Sequence, residues 1–190
     1  MICVRKNSMR VIAGKYRHRL LSWPDDAKHI RPTKDRIREA IFGALGNIDD
    51  FVCLDLYSGS GAMGIEALSR GAARSVFVDI NDIAIKTTKY NLSSLRVPAQ
   101  DYEIIGLEDV SALSYLESKN YQFDLIILDP PYKEGKYHDI INIIKEKNLL
   151  SSHGIIVIES DHEIKELPIE EFIKVRNYKY GDIRVTILWR

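Results

Sequence analysis

The sequence predicts an α/β fold of one compact domain, built on a seven-stranded, mostly parallel sheet. Three observations carry that prediction. Five continuous apolar runs, FVCLDLY (51–57), SVFVDI (75–80), YEIIG (102–106), FDLIILD (123–129) and GIIVIES (154–160), alternate with amphipathic stretches at 62–70, 82–94, 109–119 and 136–147. Unbroken apolar strands separated by helices mark a parallel sheet covered on both faces. The chain then ends in FIKVRNYKYGDIRVTILWR (172–190), which reads as two strands around a turn at Tyr180–Gly181–Asp182, an antiparallel closure. Finally, 190 residues with 45% hydrophobic and 28% charged side chains suffice for one well-buried core.

Five βα steps closed by a hairpin are not the two-halved layout of a dinucleotide-binding domain. They are the layout of a Rossmann-like class I methyltransferase, with expected strand order 3-2-1-4-5-7-6. Residues 51–190 are expected to form that domain, and residues 1–50 a basic extension to it. In the extension, MRVIA (9–13) and HRLL (18–21) read as short strands around GKYR. Thr33 is placed to cap a helix whose Ile37, Ala40, Ile41, Ala44 and Leu45 share one face, with Lys34 and Arg38 opposite.

Net charge is zero, yet residues 1–38 hold eleven Lys and Arg against three Asp, leaving that segment at +8 and the rest at −8. Such a split suggests a surface built for a polyanion. No apolar run reaches membrane-spanning length and the start, MICVRKNSMR, lacks the apolar core of a signal peptide, so a cytoplasmic protein is expected. Cys53 sits inside an apolar strand and reads as core. The five histidines and two cysteines show no ligand spacing, and no metal is expected.

In an open parallel sheet the ligand sits beyond the carboxyl ends of the strands, where the strand order reverses. Four candidate sites converge there. DLYSGSGAMG (55–64) carries Gly59, Gly61 and Gly64 in a G-x-G-x-x-G turn, so that the backbone of Tyr57, Ser58, Gly59, Ser60 and Gly61 approaches a ligand at a helix start. Asp79, twenty residues beyond Gly59 and followed by Ile80, is placed for both hydroxyls of a ribose; its alternative role is a helix cap shared with Asn81. Asp55 would face a pyrophosphate poorly. It suits a ligand with a free amino group and a sulfonium, as in S-adenosyl-L-methionine. At the third strand end, Asp109 and the Val110 amide are candidates for an adenine ring, although Asp109 also fits a simple helix cap.

The fourth site is DPPY, residues Asp129, Pro130, Pro131 and Tyr132. Two prolines directly after a buried strand cannot continue the ladder and fix a rigid loop instead. An exocyclic amine on a nucleobase is a weak nucleophile that needs acceptors on its N–H groups as it attacks a methyl in line. Asp129 and the Pro130 carbonyl are those acceptors, and Tyr132 offers a face on which an extruded base can stack.

With these residues in place the chain resembles the RsmD-type methyltransferases, which methylate a guanine N2 amine in 16S ribosomal RNA. The resemblance rests on MRVIAGKYRHRLL (9–21), RPTKDRIREAIF (31–42), LDLYSGSGAMGIEALSRGA (54–72) and LDPPY (128–132), in family order. It implies transfer of one methyl from S-adenosylmethionine, on a small-subunit particle rather than naked RNA; a monomer is expected. It also implies RNA contacts from Arg10, Lys15, Arg17, Arg19, Arg31, Thr33, Arg36 and Arg38. Two departures stand out: residues 1–8 precede the family-like start, and Asp79 replaces the more usual glutamate. An amino-methyltransferase acting on adenine or cytosine in DNA or another RNA, and a non-catalytic RNA-binding module, are the alternatives.

Overall fold

The computed structural model describes residues 9–23, 35–130, 137–164 and 167–190. Pro131, Tyr132, Arg31 and Thr33 lie outside the described residues, as does Cys3.

The central sheet contains β3 (Val52–Leu56), β4 (Arg74–Val78), β5 (Tyr102–Ile105), β6 (Phe123–Leu128), β7 (Leu150–Ser160), β8 (Lys174–Tyr180) and β9 (Ile183–Trp189). Its order is β5-β4-β3-β6-β7-β9-β8, which is the expected 3-2-1-4-5-7-6. The first five of these strands are parallel, and β9 pairs antiparallel with β7 and β8. The strand order reverses between β3 and β6, and that switch point fixes where a ligand crevice opens.

Helices α1 (Asp35–Leu45), α2 (Ala62–Ser69) and α3 (Asp82–Leu95) and helices α4 (Asp109–Ser118) and α5 (Tyr137–Glu146) divide the flanking cover. Alternate strand residues separate accordingly. Cys53, Leu125, Ile127, Val157 and Val185 pack with Ile37, Ile41 and Phe42 of α1 and with Met63 and Ala67 of α2. Leu54, Leu56, Val76, Val78, Leu128 and Ile158 pack with Leu113, Leu116, Ile140 and Ile144 of α4 and α5. Cys53 is fully buried, as expected of a core residue.

The N-terminal hairpin is smaller than its sequence suggests. Only Met9–Arg10 (β1) and Leu20–Leu21 (β2) pair as strands; Val11 still bonds across to Arg19 and His18, and beyond it the backbone turns to partners in the domain. The Glu66 carboxylate, fully buried on α2, accepts the Ile12 and Ala13 amides at 2.8 and 3.1 Å. Ser69 Oγ accepts the Tyr16 amide at 2.9 Å, and the Ser69 carbonyl accepts that of Lys15 at 2.7 Å. A Cβ on Gly14, held at φ 80°, would strike the Ser69 carbonyl, so glycine permits this close seating. Among the described residues no helix is long and apolar enough to cross a membrane.

Candidate active site

The glycine loop takes its shape from three left-handed residues, Tyr57 (φ 72°), Gly59 (φ 54°) and Gly61 (φ 77°). Both Tyr57 and Ser58 donate their amides to the Val78 carbonyl, tying the loop to the end of β4. Gly61 is the N-cap of α2 and Gly64 lies one turn in, where a Cβ would strike the Phe77 ring. The third glycine therefore serves helix-on-strand packing, while the first two shape the turn.

Asp79 follows β4 and its two oxygens are both engaged. Oδ2 accepts the Gly59 amide at 2.8 Å and Oδ1 accepts the Asn81 amide at 2.8 Å. Asn81, not Asp79, is the N-cap of α3; its Oδ1 accepts the Ile83 and Ala84 amides. Asp79 is half-buried, and each carboxylate oxygen has a second lone pair, which leaves acceptor capacity toward the crevice. Ile80, beside it, exposes 71% of its surface, and Leu107 and Val110 after β5 are also exposed.

Asp55 lies inside β3, buried, with Oδ2 accepting the Gly64 amide at 2.9 Å. Burial raises its carboxyl to about 7, partly offset by the Gly64 amide and reinforced by the charge of Asp79. Asp109 is the first residue of α4, with Glu108 as the N-cap. Its carboxylate accepts the Tyr57 hydroxyl at 2.7 Å and its own neighbour's amide, Val110 N, at 2.7 Å. The Val110 amide is thus already taken, so its placement as a donor to an adenine ring requires release from Asp109. Ser58 Oγ and Ser60 are buried in the loop, and Ser58 Oγ has no hydrogen-bond partner among the described residues.

Asp129 and Pro130 follow β6 directly at the switch point, Asp129 half-buried and Pro130 buried. Its neighbour is a residue that sequence reasoning missed. Leu128 pairs with Ile158, so the next step along both parallel strands sets Asp129 beside Glu159 at the end of β7, where Glu159 is 4% exposed. Burial, then Glu159, then Asp55 push the Asp129 carboxyl well above the usual carboxylate range. A glutamate in the run IIVIES carries no motif, and only strand register reveals it. Tyr137 at the start of α5 donates its hydroxyl to the Glu159 carbonyl at 3.1 Å.

The candidate RNA residues divide in two. Lys15, Arg17, Arg19 and Arg36 are exposed; Arg10 is exposed but pairs with Asp35 at 3.1 Å, and Arg19 also donates to the Ser94 carbonyl. Arg38 corrects the sequence reading. Its side chain is fully buried on the apolar side of α1, where Nη2 donates to the Arg10 carbonyl at 2.6 Å and to Asp35 at 2.9 Å. Burial lowers the pKa of Arg38, and the nearby charges of Asp35, Glu66 and Glu159 oppose that shift. It ties α1 to the N-terminal hairpin, and a long aliphatic stem makes arginine compatible with a buried stripe that helical periodicity assigns to water.

Buried asparagine is a further device invisible in the sequence. Asn91 on α3 exchanges hydrogen bonds with the Ser22 backbone (2.7 and 3.1 Å) and donates to the Ser60 carbonyl at 2.9 Å. Thr88 donates to the Gly59 carbonyl at 3.1 Å. One face of α3 thus clamps the glycine loop and the basic extension together.

Residues 9–189 match the family model described as Conserved hypothetical protein 95. The chain is 38% identical over 182 residues to YlbH of Bacillus subtilis, covering 94% of this chain and 97% of that one. It is 34% identical over 156 residues to the ribosomal RNA small subunit methyltransferase D of Escherichia coli, covering 82% of this chain and 76% of that one. Among solved structures it is similar to yhhF of Escherichia coli, with a TM-score of 0.82 and 30% identity over 96% of this chain and 98% of that one. The chain belongs to this family, the RsmD type that its motifs resemble.

Proposed function

We propose that this family member transfers a methyl group from S-adenosylmethionine to the exocyclic N2 amine of a guanine in 16S ribosomal RNA. The observation that carries the proposal is the seating of Asp129 and Pro130 at the switch point, next to the glycine loop and Asp79. Its RNA substrate is supported by the relative whose name is ribosomal RNA small subunit methyltransferase D.

The residues present fit the cofactor. Asp79 would take the ribose hydroxyls, Ile80, Leu107 and Val110 would flank the adenine, and the orphaned Ser58 hydroxyl would gain a partner. Asp55 would balance the ammonium and sulfonium charges. When bound, the cofactor supplies an electrophilic methyl on sulfur. Asp129 and the Pro130 carbonyl would hold the two N–H groups of the amine, letting its lone pair leave conjugation with the ring and point at the methyl. Once the amine has taken that methyl from the sulfur, it would carry one proton too many. Asp129, ionised beside the cationic cofactor, would be placed to receive it. Residues 1–50 would act as the RNA-binding extension, reaching a small-subunit particle as a monomer.

The test is incubation of small-subunit RNA and particles with tritiated S-adenosylmethionine, followed by nucleoside analysis. Label in N2-methylguanosine is expected. Label in an adenine or cytosine derivative, or cofactor binding with no transfer, would overturn the proposal.

A further inference from the structure

The basic N-terminal segment is not the only cationic surface. Residues 174–190 hold Lys174, Arg176, Lys179, Arg184 and Arg190 against a single acid, Asp182. They form the β8–β9 hairpin, and β8 is the edge strand of the sheet. Register places the hairpin tip relative to the site. Glu159 pairs with Val185 and Ser160 with Arg184, while Val185 pairs with Tyr178 and Arg184 with Lys179. Glu159 stands beside Asp129, so Tyr178, Lys179, Tyr180 and Arg184 lie at the carboxyl edge of the sheet, the edge at which the crevice opens. Lys174 and Trp189 sit at the far end, in a cation–π contact of 4.3 Å.

Two features of the tip go beyond a solvated charge. Tyr178 and Tyr180, two apart on one face of β8, stack with ring centroids 6.3 Å apart and planes 14° from parallel. Both are half-buried against the α1 side of the core, so the rings are anchored at one edge and open at the other. Arg176 is exposed on that same face, Lys179 is exposed on the opposite one, and Arg184 is half-buried. Interleaved aromatic rings and cations along one strand suit an unpaired nucleic-acid strand, with bases stacking on rings and phosphates meeting the cations. A folded protein partner would find no sizeable apolar patch at this tip.

We infer that the tip of the β8–β9 hairpin is a second RNA contact, holding single-stranded nucleotides that flank the target guanine. The inference rests on the RNA-methyltransferase reading above. An extruded base leaves its neighbours unstacked, and a stacking platform next to the crevice would hold them while the cations track their backbone. The N-terminal extension and this hairpin would then grip the strand on two sides of the site.

The experiment compares Arg176→Glu/Lys179→Glu, Tyr180→Ala and Tyr180→Phe with the wild type, using the RNA that the wild type methylates. The charge-reversed protein is expected to bind RNA at least about tenfold more weakly, with the slope of log affinity against log salt reduced by roughly 0.7 for each phosphate that no longer meets a cation. Tyr180→Ala should weaken binding about five- to a hundredfold and Tyr180→Phe little, the range expected when one base loses its stacking partner. Affinity for S-adenosylmethionine and the melting temperature of the charge-reversed and Phe variants should match the wild type, which separates a weakened RNA grip from a damaged fold. Wild-type RNA affinity and salt slope in the charge-reversed variant would overturn the inference while leaving the methyltransferase reading intact. If the wild type labels no RNA guanine, that reading itself fails.

Discussion

Asp79 Oδ2 accepts the backbone amide of Gly59 at 2.8 Å, so the carboxylate proposed to hold the ribose also holds the loop proposed to carry the cofactor. Replacing Asp79 by Ala removes both roles. Calorimetry should show S-adenosylmethionine binding weakened by roughly 1–3 kcal/mol, the range for the removal of charge-assisted hydrogen bonds. Asp79→Asn keeps one acceptor and should fall between Ala and the wild type. Wild-type affinity in Asp79→Ala would remove this residue from the cofactor site.

Asp55 gives a pH dependence with a definite sign. Burial raises its carboxyl to about 7, above the ordinary aspartate value, so the neutral form is favoured in the ligand-free fold. Its contribution to stability is complete below about pH 4 and is lost as pH rises through 7. A cationic ligand favours the ionised form, so cofactor affinity should rise with pH up to about 7, by at most about tenfold per unit, and then level off. In Asp55→Asn that dependence should vanish and the ligand-free protein should melt higher at pH 8 than the wild type. A flat wild-type titration between pH 5.5 and 7.5 would contradict the assignment.

Gly64 is closed to any larger residue by the Phe77 ring. Gly64→Ala should destabilise the fold by about 1–3 kcal/mol, the usual cost of overpacking, read as a lower melting temperature. Adding Phe77→Leu should recover part of the loss. Independent, additive effects of the two substitutions would show that the ring is not what excludes the side chain.

Arg38 and its exposed neighbours should separate cleanly. Arg38→Met removes the buried ties to Asp35 and to the Arg10 carbonyl, and is expected to lower the melting temperature and loosen the extension toward proteolysis. Arg17→Glu should leave melting unchanged and weaken RNA binding, with a flatter salt dependence. The reverse pattern would restore Arg38 to the RNA surface.

Strand order was legible in the sequence because alternating apolar runs and amphipathic helices permit few topologies, and the final YGD turn announced the antiparallel closure. The glycine loop, Asp79 and the place of Asp129 and Pro130 directly after β6 were legible because their spacing has a mechanical cause. What stayed hidden depends on tertiary position. Glu159 is found through the Leu128–Ile158 register, Asn91 through its reach to both Ser22 and Ser60, and Glu66 through two amides 53 and 54 residues away. Arg38 was misread because helical periodicity assigns a cation to water, whereas the fold supplies partners for it inside. The first N-terminal strand was drawn too long because Glu66 takes the Ile12 and Ala13 amides.

Methyl transfer to RNA by wild type and Asp129→Ala, run side by side with saturating tritiated cofactor and resolved by nucleoside analysis, tests the central claim most directly. Asp129 stands outside the glycine loop and the sheet ladder, so its loss should leave cofactor affinity nearly unchanged. The wild type should place label in N2-methylguanosine, and the variant should do so at least about a hundredfold more slowly, the scale of one positioning and proton-accepting group. Equal rates in the two proteins, or label in any other nucleoside, would contradict the account.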